Sequence, residues 1–281
     1  MKFHQPASEI FIPDGLPVEK ALNRTTHLAI AAHQDDLEIM AAAPILDCFQ
    51  QDDKWYSAVL VTDGRGSPRN GLYEKYNDEE MRLVRFKEQR KAAIVGEYAA
   101  LFMLDYSSKE TKSSSTNPVD DLVAILDATR PQYVYTHNLA DKHDTHIATI
   151  LKVINAIRRM PKNDRPEKLF GCEVWRNLDW MVDSDKVPFD LSGQENLQSA
   201  LLGVFDSQIT GGKRYDLASL ARRRANATYF ESHGVDVLTG LSFGLDMTLL
   251  IQNDDLEPAE FIQTYINHFA QDVMDRLQRV K

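Results

Sequence analysis

The chain has 281 residues, of which 43% are hydrophobic, and its formal net charge at pH 7 is −10. This apolar content is enough for a sizeable core. The acidity argues against a broad nucleic-acid-binding surface, because such surfaces usually carry a basic excess. No run of about 18 apolar residues predicts a membrane span, and the N-terminal residues lack the apolar stretch of a signal peptide. The sequence therefore predicts a cytoplasmic protein. The two cysteines, Cys48 and Cys172, are far apart and predict reduced thiols.

Strands and helices alternate along the first part of the chain. The predicted strands are 27–33, 55–64, 99–106 and 131–137, and the predicted helices are 37–51, 77–98, 116–130 and 144–160. Pro44 must lie near the start of the first helix or kink it. Four strand–helix units in succession predict an α/β fold with a mainly parallel sheet covered by helices on both faces.

The alternation weakens beyond residue 161. The remaining predicted elements are a strand at 168–175, a helix at 217–232, a strand within 242–251 and a terminal helix at 258–280. These mixed strands and helices form a C-terminal extension of the α/β unit.

Polar clusters follow three of the four predicted parallel strands. They are HQDD at 33–36, TDGRGS at 62–67 and THNLADKHDTH at 136–146. Ligands of open parallel sheets bind beyond the carboxyl ends of the strands. We therefore expect a functional site at this edge of the sheet.

The first and third clusters contain residue types that bind zinc. Zinc is held by histidine nitrogens and carboxylate oxygens, and catalytic sites usually supply three protein ligands plus water. His33 and Asp36 can share one ion if the chain turns sharply there, and His146 can be the third ligand while His143 faces the substrate. Asp35 would then lie beside the water and can accept its proton. The alternative for the Asp35–Asp36 pair is a helix N-cap, which leaves the second histidine cluster unexplained.

These clusters resemble the signatures of the PIG-L/LmbE-like family of zinc-dependent N-acetylglucosaminyl deacetylases. AAHQDDLEI resembles the (A/P)HPDDxE motif, and VTDGRGS resembles the second block of the family. RFKEQRKAA resembles the R-x-x-E-x-x-x-A helix, and THNLADKHDTH resembles the H-N-x-x-D-x-H-x-D-H block. The blocks occur in the order of the family over residues 28–157.

The resemblance implies a Rossmann-like three-layer α/β/α fold, a divalent metal ion, usually zinc, and removal of an N-acetyl group from an amino sugar or GlcNAc-containing conjugate. Carried over to this sequence, the metal ligands are His33, Asp36 and His146. Asp35 is then the general base, and His143 stabilises the oxyanion or protonates the leaving amine. Asp141 is expected to orient His143. Gln34 replaces the usual proline, and Thr145 replaces an aspartate whose loss would weaken metal affinity if it supports a ligand.

Five residues are candidate substrate contacts: Arg65, Arg85, His137, Trp175 and Arg176. Arg65 lies in the turn after the second strand, where a solvated arginine is the alternative. The family resemblance favours Arg85 as a substrate contact or as support for the site, against a solvated ion pair on its helix. His137 ends the fourth strand and is expected to line the pocket, while Trp175 and Arg176 suit a carbohydrate ring.

Three functions are compatible with these residues. The first is a metal-dependent hydrolase of an N-acetylated amino sugar. The second is a phosphoesterase, whose two-metal form needs more ligands than the sequence offers. The third is a non-catalytic sugar- or metal-binding protein, which would not need Asp35 and His143.

We expect one domain over 1–281, with a metal-binding core at 25–160 and a substrate-shaping or oligomerisation part at 161–281. The expected partner is a small N-acetylated sugar, with no nucleic acid, no membrane span and a homo-oligomer left open.

Overall fold

The computed structural model describes residues 1–280 and is built around an eight-stranded sheet. The strands are β1 Glu9–Phe11, β2 His27–Ala31, β3 Tyr56–Thr62, β4 Ala100–Tyr106, β5 Tyr133–His137, β6 Lys168–Cys172, β7 Val187–Asp190 and β8 Leu241–Asp246. Their order across the sheet is β1-β4-β3-β2-β5-β6-β8-β7. The five central strands, from β4 to β6, are parallel, whereas β1, β8 and β7 pair antiparallel with their neighbours. The predicted mainly parallel sheet is confirmed.

Twelve α-helices within residues 1–280 accompany the sheet. They are α1 Val18–Asn23, α2 Asp36–Met40, α3 Ala42–Cys48, α4 Asp78–Val95, α5 Ser108–Thr111, α6 Asn117–Thr129, α7 Asp144–Arg159, α8 Glu195–Gly203, α9 Asp206–Ile209, α10 Tyr215–Tyr229, α11 Leu249–Gln252 and α12 Pro258–Arg279. The predicted helix 37–51 is divided into α2 and α3, because Pro44 has no N–H to donate to the carbonyl of Met40. The interruption falls at Ala41, whose φ is −113°. Within residues 1–280, no helix combines the length and apolar content needed to cross a bilayer.

Helices cover both faces of the central strands. Every residue of β2, β3 and β4 is buried, as expected for parallel strands between two helical layers. Leu28 and Ile30 of β2 join the hydrophobic cluster that contains α6 and α7. The alternate residues Ala29 and Ala31 join the cluster that contains α2, α3 and α4. The predicted three-layer arrangement is therefore present, and both cysteines are free and buried.

The C-terminal part of the chain extends the same sheet. Strands β6, β8 and β7 lie beside β5 at one side. The strand predicted within 242–251 ends at Asp246 and is followed by α11, while the terminal helix agrees closely with its prediction. Strands β1 and β7 were not predicted, because runs of three and four residues are too short to show a period.

The order of the strands determines where a ligand can bind. Strand β2 pairs with β3 on one side and with β5 on the other, so the direction of the crossover connections reverses between β2 and β5. A crevice forms at such a switch point, beyond the carboxyl ends of the two strands. The HQDD cluster follows β2 and the histidine-rich loop follows β5, so both enter this crevice.

Candidate metal centre and active site

Three atoms suited to metal binding form a nearly equilateral triangle in the crevice. Asp36 Oδ2 lies 3.1 Å from His33 Nδ1 and 3.2 Å from His146 Nε2, and the two histidine nitrogens are 3.2 Å apart. In a tetrahedral zinc site with bonds of about 2.0–2.1 Å, neighbouring ligand atoms are about 3.3–3.4 Å apart. The triangle therefore matches one face of such a tetrahedron, and the structure brings the predicted ligands together.

A sharp turn after β2 brings His33 and Asp36 to one point. The backbone N–H of His33 donates to Asp36 Oδ2 over 2.8 Å, so the carboxylate folds back toward the strand. Asp35, between them, has a φ of +88°, a left-handed conformation that is costly for a residue with a side chain and is often found at functional sites. Its side chain makes no capping hydrogen bond to α2, so the N-cap alternative for this residue is wrong.

The charges of the triangle favour a bound cation. Although burial acts in the opposite direction, His146 and His33 hold the pKa of Asp36 well below its usual value. Burial alone would lower the pKa of His146, but the carboxylates of Asp36 and Asp141 raise it to about 10. A proton on His146 therefore occupies the place that a metal ion would take. Metal binding to these residues would release that proton and would weaken at low pH.

Asp141 positions a metal-ligand candidate, and the prediction that it orients His143 is wrong. Its Oδ2 lies 3.0 Å from Nδ1 of His146, whereas Nδ1 of His143 has no hydrogen-bond partner within residues 1–280. The loop after β5 folds back so that this carboxylate meets the far side of the His146 ring. This leaves Nε2 of His146 directed at Asp36. The carboxylate support expected from an aspartate at position 145 thus comes from Asp141, while Thr145 lines the cavity.

Asp141→Asn is expected to weaken metal affinity 10–100-fold, the usual effect of removing a carboxylate behind a metal-binding histidine. Isothermal titration of the metal-free protein with zinc measures this change. Asp144→Asn is the matched control, because Asp144 lies in the first turn of the same helix and is exposed. Equal affinities of the two variants would contradict the positioning role.

His137 lies beneath the triangle, and the expectation that it lines the pocket is wrong. Its ring is fully buried and stacks on the ring of His146 with a centroid distance of 3.8 Å. Although its Nε2 is within reach of Asp36 and His146 as a further ligand set, that nitrogen accepts a 2.9 Å hydrogen bond from the N–H of Ala32. We therefore assign His137 to packing behind the ligands.

His143 is the histidine that faces the cavity. Its ring is half-buried, with its centroid 5.0 Å from that of His33 and 4.6 Å from that of His146. Ligand-type atoms of these three residues also lie within 4.8 Å of one another. Burial, together with His33 and His146, lowers the pKa of His143. The ring is therefore neutral at pH 7 and can donate one hydrogen bond toward the cavity.

Asp35 and Arg85 form a buried pair beside the triangle. Arg85 is 1% exposed, and its Nη2 lies 3.4 Å from Oδ2 of Asp35 while donating a hydrogen bond to the carbonyl of Gln34. Burial raises the pKa of Asp35 to about 8, although Arg85 opposes this rise. Arg85 reaches the cavity wall, but protein groups occupy its guanidinium. The geometry therefore agrees with active-site support, and substrate contact by Arg85 stays a prediction.

A cavity of about 390 Å³ opens above these residues. Of the predicted substrate contacts, only Arg85 and Trp175 line it. The Nε of Arg65 donates to Asp63 Oδ2 over 2.6 Å, and Arg65 does not line the cavity. Arg176 is exposed and does not line the cavity either. The positions of Arg65 and Arg176 thus differ from those expected, because neighbouring side chains and exposure decide where a flexible arginine points.

Several cavity residues were missed in the sequence, and most come from the C-terminal part: Ser108, Lys112, Gln208, Lys213 and Tyr215. The ring of Trp175 has Lys213 Nζ at 4.8 Å and the ring of Tyr215 at 5.9 Å. The glycine pair before Lys213 was a signal for a turn near a ligand. It did not indicate which of the following side chains face the metal centre.

Glu88 connects this C-terminal part to the candidate metal centre. Its two carboxylate oxygens accept hydrogen bonds from the N–H of Ser207 at 2.7 Å and from Oγ of Ser207 at 2.6 Å. Oε2 of Glu88 also lies 3.4 Å from Nη1 of Arg85. The start of α9 is thereby fixed to α4, and this contact places Gln208 in the cavity wall.

Gln34 fills the space between the first two sequence blocks. Its Nε2 donates to the carbonyl of Thr62 over 3.1 Å, and its side chain is fully buried. A Cβ atom at Gly64 would overlap Oε1 of Gln34, and Gly64 has a φ of +70°. The positive φ therefore favours glycine, and a Cβ atom would also force the end of the Gln34 side chain, which stands where the family usually has proline, to move.

Gly64→Ala is expected to lower the free energy of unfolding by about 1–3 kcal/mol, because it combines strain at positive φ with an overlap in a packed interior. Urea unfolding followed by circular dichroism measures the change. Gly66→Ala is the control, since a Cβ atom at Gly66 meets nothing within 4 Å. Two equally stable variants would show that the contact with Gln34 imposes no constraint.

Comparison with known proteins supports the resemblance seen in the motifs. The family model for PIG-L, described as GlcNAc-PI de-N-acetylase, matches residues 28–157. The resemblance of the motifs to the PIG-L family is therefore confirmed over these residues, which make up less than half of the chain. No curated protein shows a significant match to the chain.

Solved structures share the fold at low sequence identity. The conserved protein TT1542 from Thermus thermophilus has a TM-score of 0.63 and 17% identity, over 79% of this chain and 94% of its own. GalB, the 4-carboxy-2-hydroxymuconate hydratase from Pseudomonas putida, has a TM-score of 0.63 and 14% identity, over 79% and 96%. The N,N'-diacetylchitobiose deacetylase from Pyrococcus horikoshii has a TM-score of 0.59 and 18% identity, over 78% and 83%. Since one fold carries a hydratase and a deacetylase, function has to be argued from the site.

Proposed function

We propose that the protein is a metal-dependent hydrolase that removes an N-acetyl or related N-acyl group from an amino sugar or a GlcNAc-containing conjugate. The observation that carries this proposal is the triangle of His33, Asp36 and His146, with Asp35 beside it at the floor of an open cavity. The match of residues 28–157 to a de-N-acetylase family supports the same reaction. A protein that only stored metal would need neither the buried base nor the cavity.

The ligand set fits zinc best. Two imidazole nitrogens and one carboxylate oxygen form a donor set that zinc uses in hydrolases, with one position open to solvent. A zinc ion held there would lower the pKa of water and polarise the amide carbonyl. The 24% exposed side chain of His33 leaves the triangle accessible from the cavity.

Asp35 and His143 would carry the proton transfer and the stabilisation of charge. Asp35 removes a proton from the attacking water, whose oxygen forms a bond to the carbonyl carbon. The neutral His143 donates a hydrogen bond to the oxygen on which negative charge develops. The carbon–nitrogen bond then breaks, and the proton on Asp35 passes to the amine, which gives acetate and a free amino sugar. The raised pKa of Asp35 suits a carboxyl group that must first accept a proton and then return it.

Trp175 and Tyr215 are the proposed contacts for the sugar ring. Their rings pack edge to face in the cavity wall, 5.9 Å apart between centroids, and offer apolar area for the face of a pyranose. The family name and the chitobiose deacetylase both point to N-acetylglucosamine as the recognised unit. These comparisons support an N-acetylated hexosamine as the first substrate to test.

Acetate release tests the proposal. The protein is incubated with N-acetylglucosamine, its 1-phosphate, N,N'-diacetylchitobiose and a GlcNAc glycoside, before and after treatment with a chelator. Acetate and free amine are expected in equal amounts, with activity lost on chelation and restored by zinc. If the protein holds one metal ion tightly but releases acetate from none of these compounds, the result would favour a sugar- or metal-binding protein. Phosphate release without acetate would favour a phosphoesterase.

A further inference from the structure

The last helix carries an apolar surface that nothing else in residues 1–280 covers. In α12 only Phe261 is fully buried, and from Ile266 to Val280 every residue except Asp272 is exposed. Six of the large hydrophobic side chains that are exposed lie in this stretch: Ile266, Phe269, Val273, Met274, Leu277 and Val280. Such a concentration in one segment, rather than scattered single residues, is typical of an interaction surface.

Five of these residues form a narrow stripe, which we call the α12 stripe: Ile266, Phe269, Val273, Leu277 and Val280. At about 100° per residue, the four helical residues fall within an arc of roughly 80°, and Val280, the C-cap residue of α12, continues the same line. The helix contacts the rest of the protein mainly through a different face. Phe261 and Tyr265 pack against the main core cluster, and His268 Nδ1 lies 2.7 Å from Asp185 Oδ2. That face is about 110° from the stripe. Ile262 lies on the line of the stripe and still packs against the core, so the stripe is free of contacts with its own chain only from Ile266 onward.

The spacing of the residues along the α12 stripe is symmetric about Val273. The steps along it are three, four, four and three residues, so Ile266 and Val280 lie equally far from Val273, as do Phe269 and Leu277. A parallel coiled coil would continue with alternating steps of three and four and would place Arg276 in the contact. The symmetric order instead suits two antiparallel copies, in which each residue meets its counterpart across a two-fold axis.

We propose that the α12 stripe pairs antiparallel with the same stripe of a second copy, with Val273 on the two-fold axis. Val273 then meets Val273, Ile266 meets Val280, and Phe269 meets Leu277. Charges agree with this arrangement, because Arg276 of one helix comes level with Ala270 of the other, within one turn of Asp272. No like charges face each other across the stripe.

The size of the surface sets the strength of the association. From the exposed fractions of the five stripe side chains, two copies would cover at most about 900 Å², an area typical of weak and transient association. Association is therefore expected to depend on concentration in the micromolar range. Helices of this length are marginal alone in water, so pairing also stabilises the outer turns of α12.

Light scattering coupled to size exclusion, from about 1 to 100 µM protein, tests the proposal. The wild type is expected to approach twice the chain mass of 32.0 kDa as concentration rises. Val273→Asp places two carboxylates on the axis and is expected to remain monomeric at all concentrations, as is Leu277→Lys. Gln278→Asp adds the same charge outside the stripe and should dimerise like the wild type. These exposed positions leave folding intact, which circular dichroism verifies.

Two outcomes would overturn the proposal. One is a wild-type protein that stays monomeric up to 100 µM, whether or not it binds lipid vesicles through α12. The other is a dimer that persists in Val273→Asp. Orientation is tested by mixing Phe269→Cys and Leu277→Cys chains under mild oxidation, where antiparallel pairing predicts mainly mixed disulfides. A predominance of disulfides between identical chains would contradict the antiparallel arrangement.

Discussion

His146→Ala is expected to abolish both metal binding and turnover. The substitution removes one corner of the triangle and leaves Asp36 and His33, which are too few ligands to hold a catalytic zinc ion tightly. It also leaves the buried carboxylate of Asp141 without the ring that it bonds. The metal content, measured by elemental analysis after gel filtration, should fall from about one ion per chain to near zero. Acetate release should fall to background.

His268→Ala is the control for this change. His268 is also a histidine bonded to an aspartate, but it lies on α12 with an exposed side chain. It should retain full metal content and activity. A His146→Ala protein that keeps its metal and turns over substrate at the wild-type rate would remove His146 from the site, whatever the other residues do.

Asp35→Asn is expected to retain metal and lose turnover by about 10²–10⁴-fold, the usual range for a general base. The amide keeps the size of the side chain and the hydrogen-bonding reach toward Arg85, but it cannot accept the proton. Metal affinity by titration and kcat by acetate release separate the two effects. Asp144→Asn, on the nearby exposed turn, serves as the control for general charge effects.

The pH profile gives a second readout for Asp35. A base must be ionised, so kcat/KM should fall as pH drops below the pKa of Asp35. Burial raises this pKa to about 8 without a metal ion, and a nearby cation favours the charged carboxylate, so the acid limb should lie below pH 8 in the metal-loaded enzyme. Normal turnover of Asp35→Asn, or an unchanged acid limb in its residual activity, would show that another group is the base.

The parallel core could be predicted because its strands are continuous apolar runs. β2, β3 and β4 lie between two helical layers and must be apolar on both faces, which makes them visible without any alignment. The edge strands β1 and β7 are short and only partly buried, so they leave no such pattern. The location of the site at the carboxyl edge of the sheet followed from the succession of strand–helix units, and the ligand candidates followed from the polar clusters at that edge. The switch point between β2 and β5 was seen only in the strand order of the structure.

The partners of individual side chains could not be predicted in the same way. Spacing placed Asp141 near both His143 and His146, but only the fold of the loop after β5 decides which ring it meets. Tyr215 and Lys213 reach the cavity because Ser207 is fixed to Glu88, a contact across more than one hundred residues of sequence. Local patterns carry no information about such contacts, and so the cavity wall was largely missed.

The most direct test is a crystal structure of the zinc-loaded protein with anomalous data collected at the zinc edge. We expect a single zinc ion per chain at about 2.0–2.2 Å from His33 Nδ1, Asp36 Oδ2 and His146 Nε2, with its open side toward Asp35 and His143. Zinc bound elsewhere, or held through His137 or His143 in place of one of these three ligands, would contradict the proposed centre.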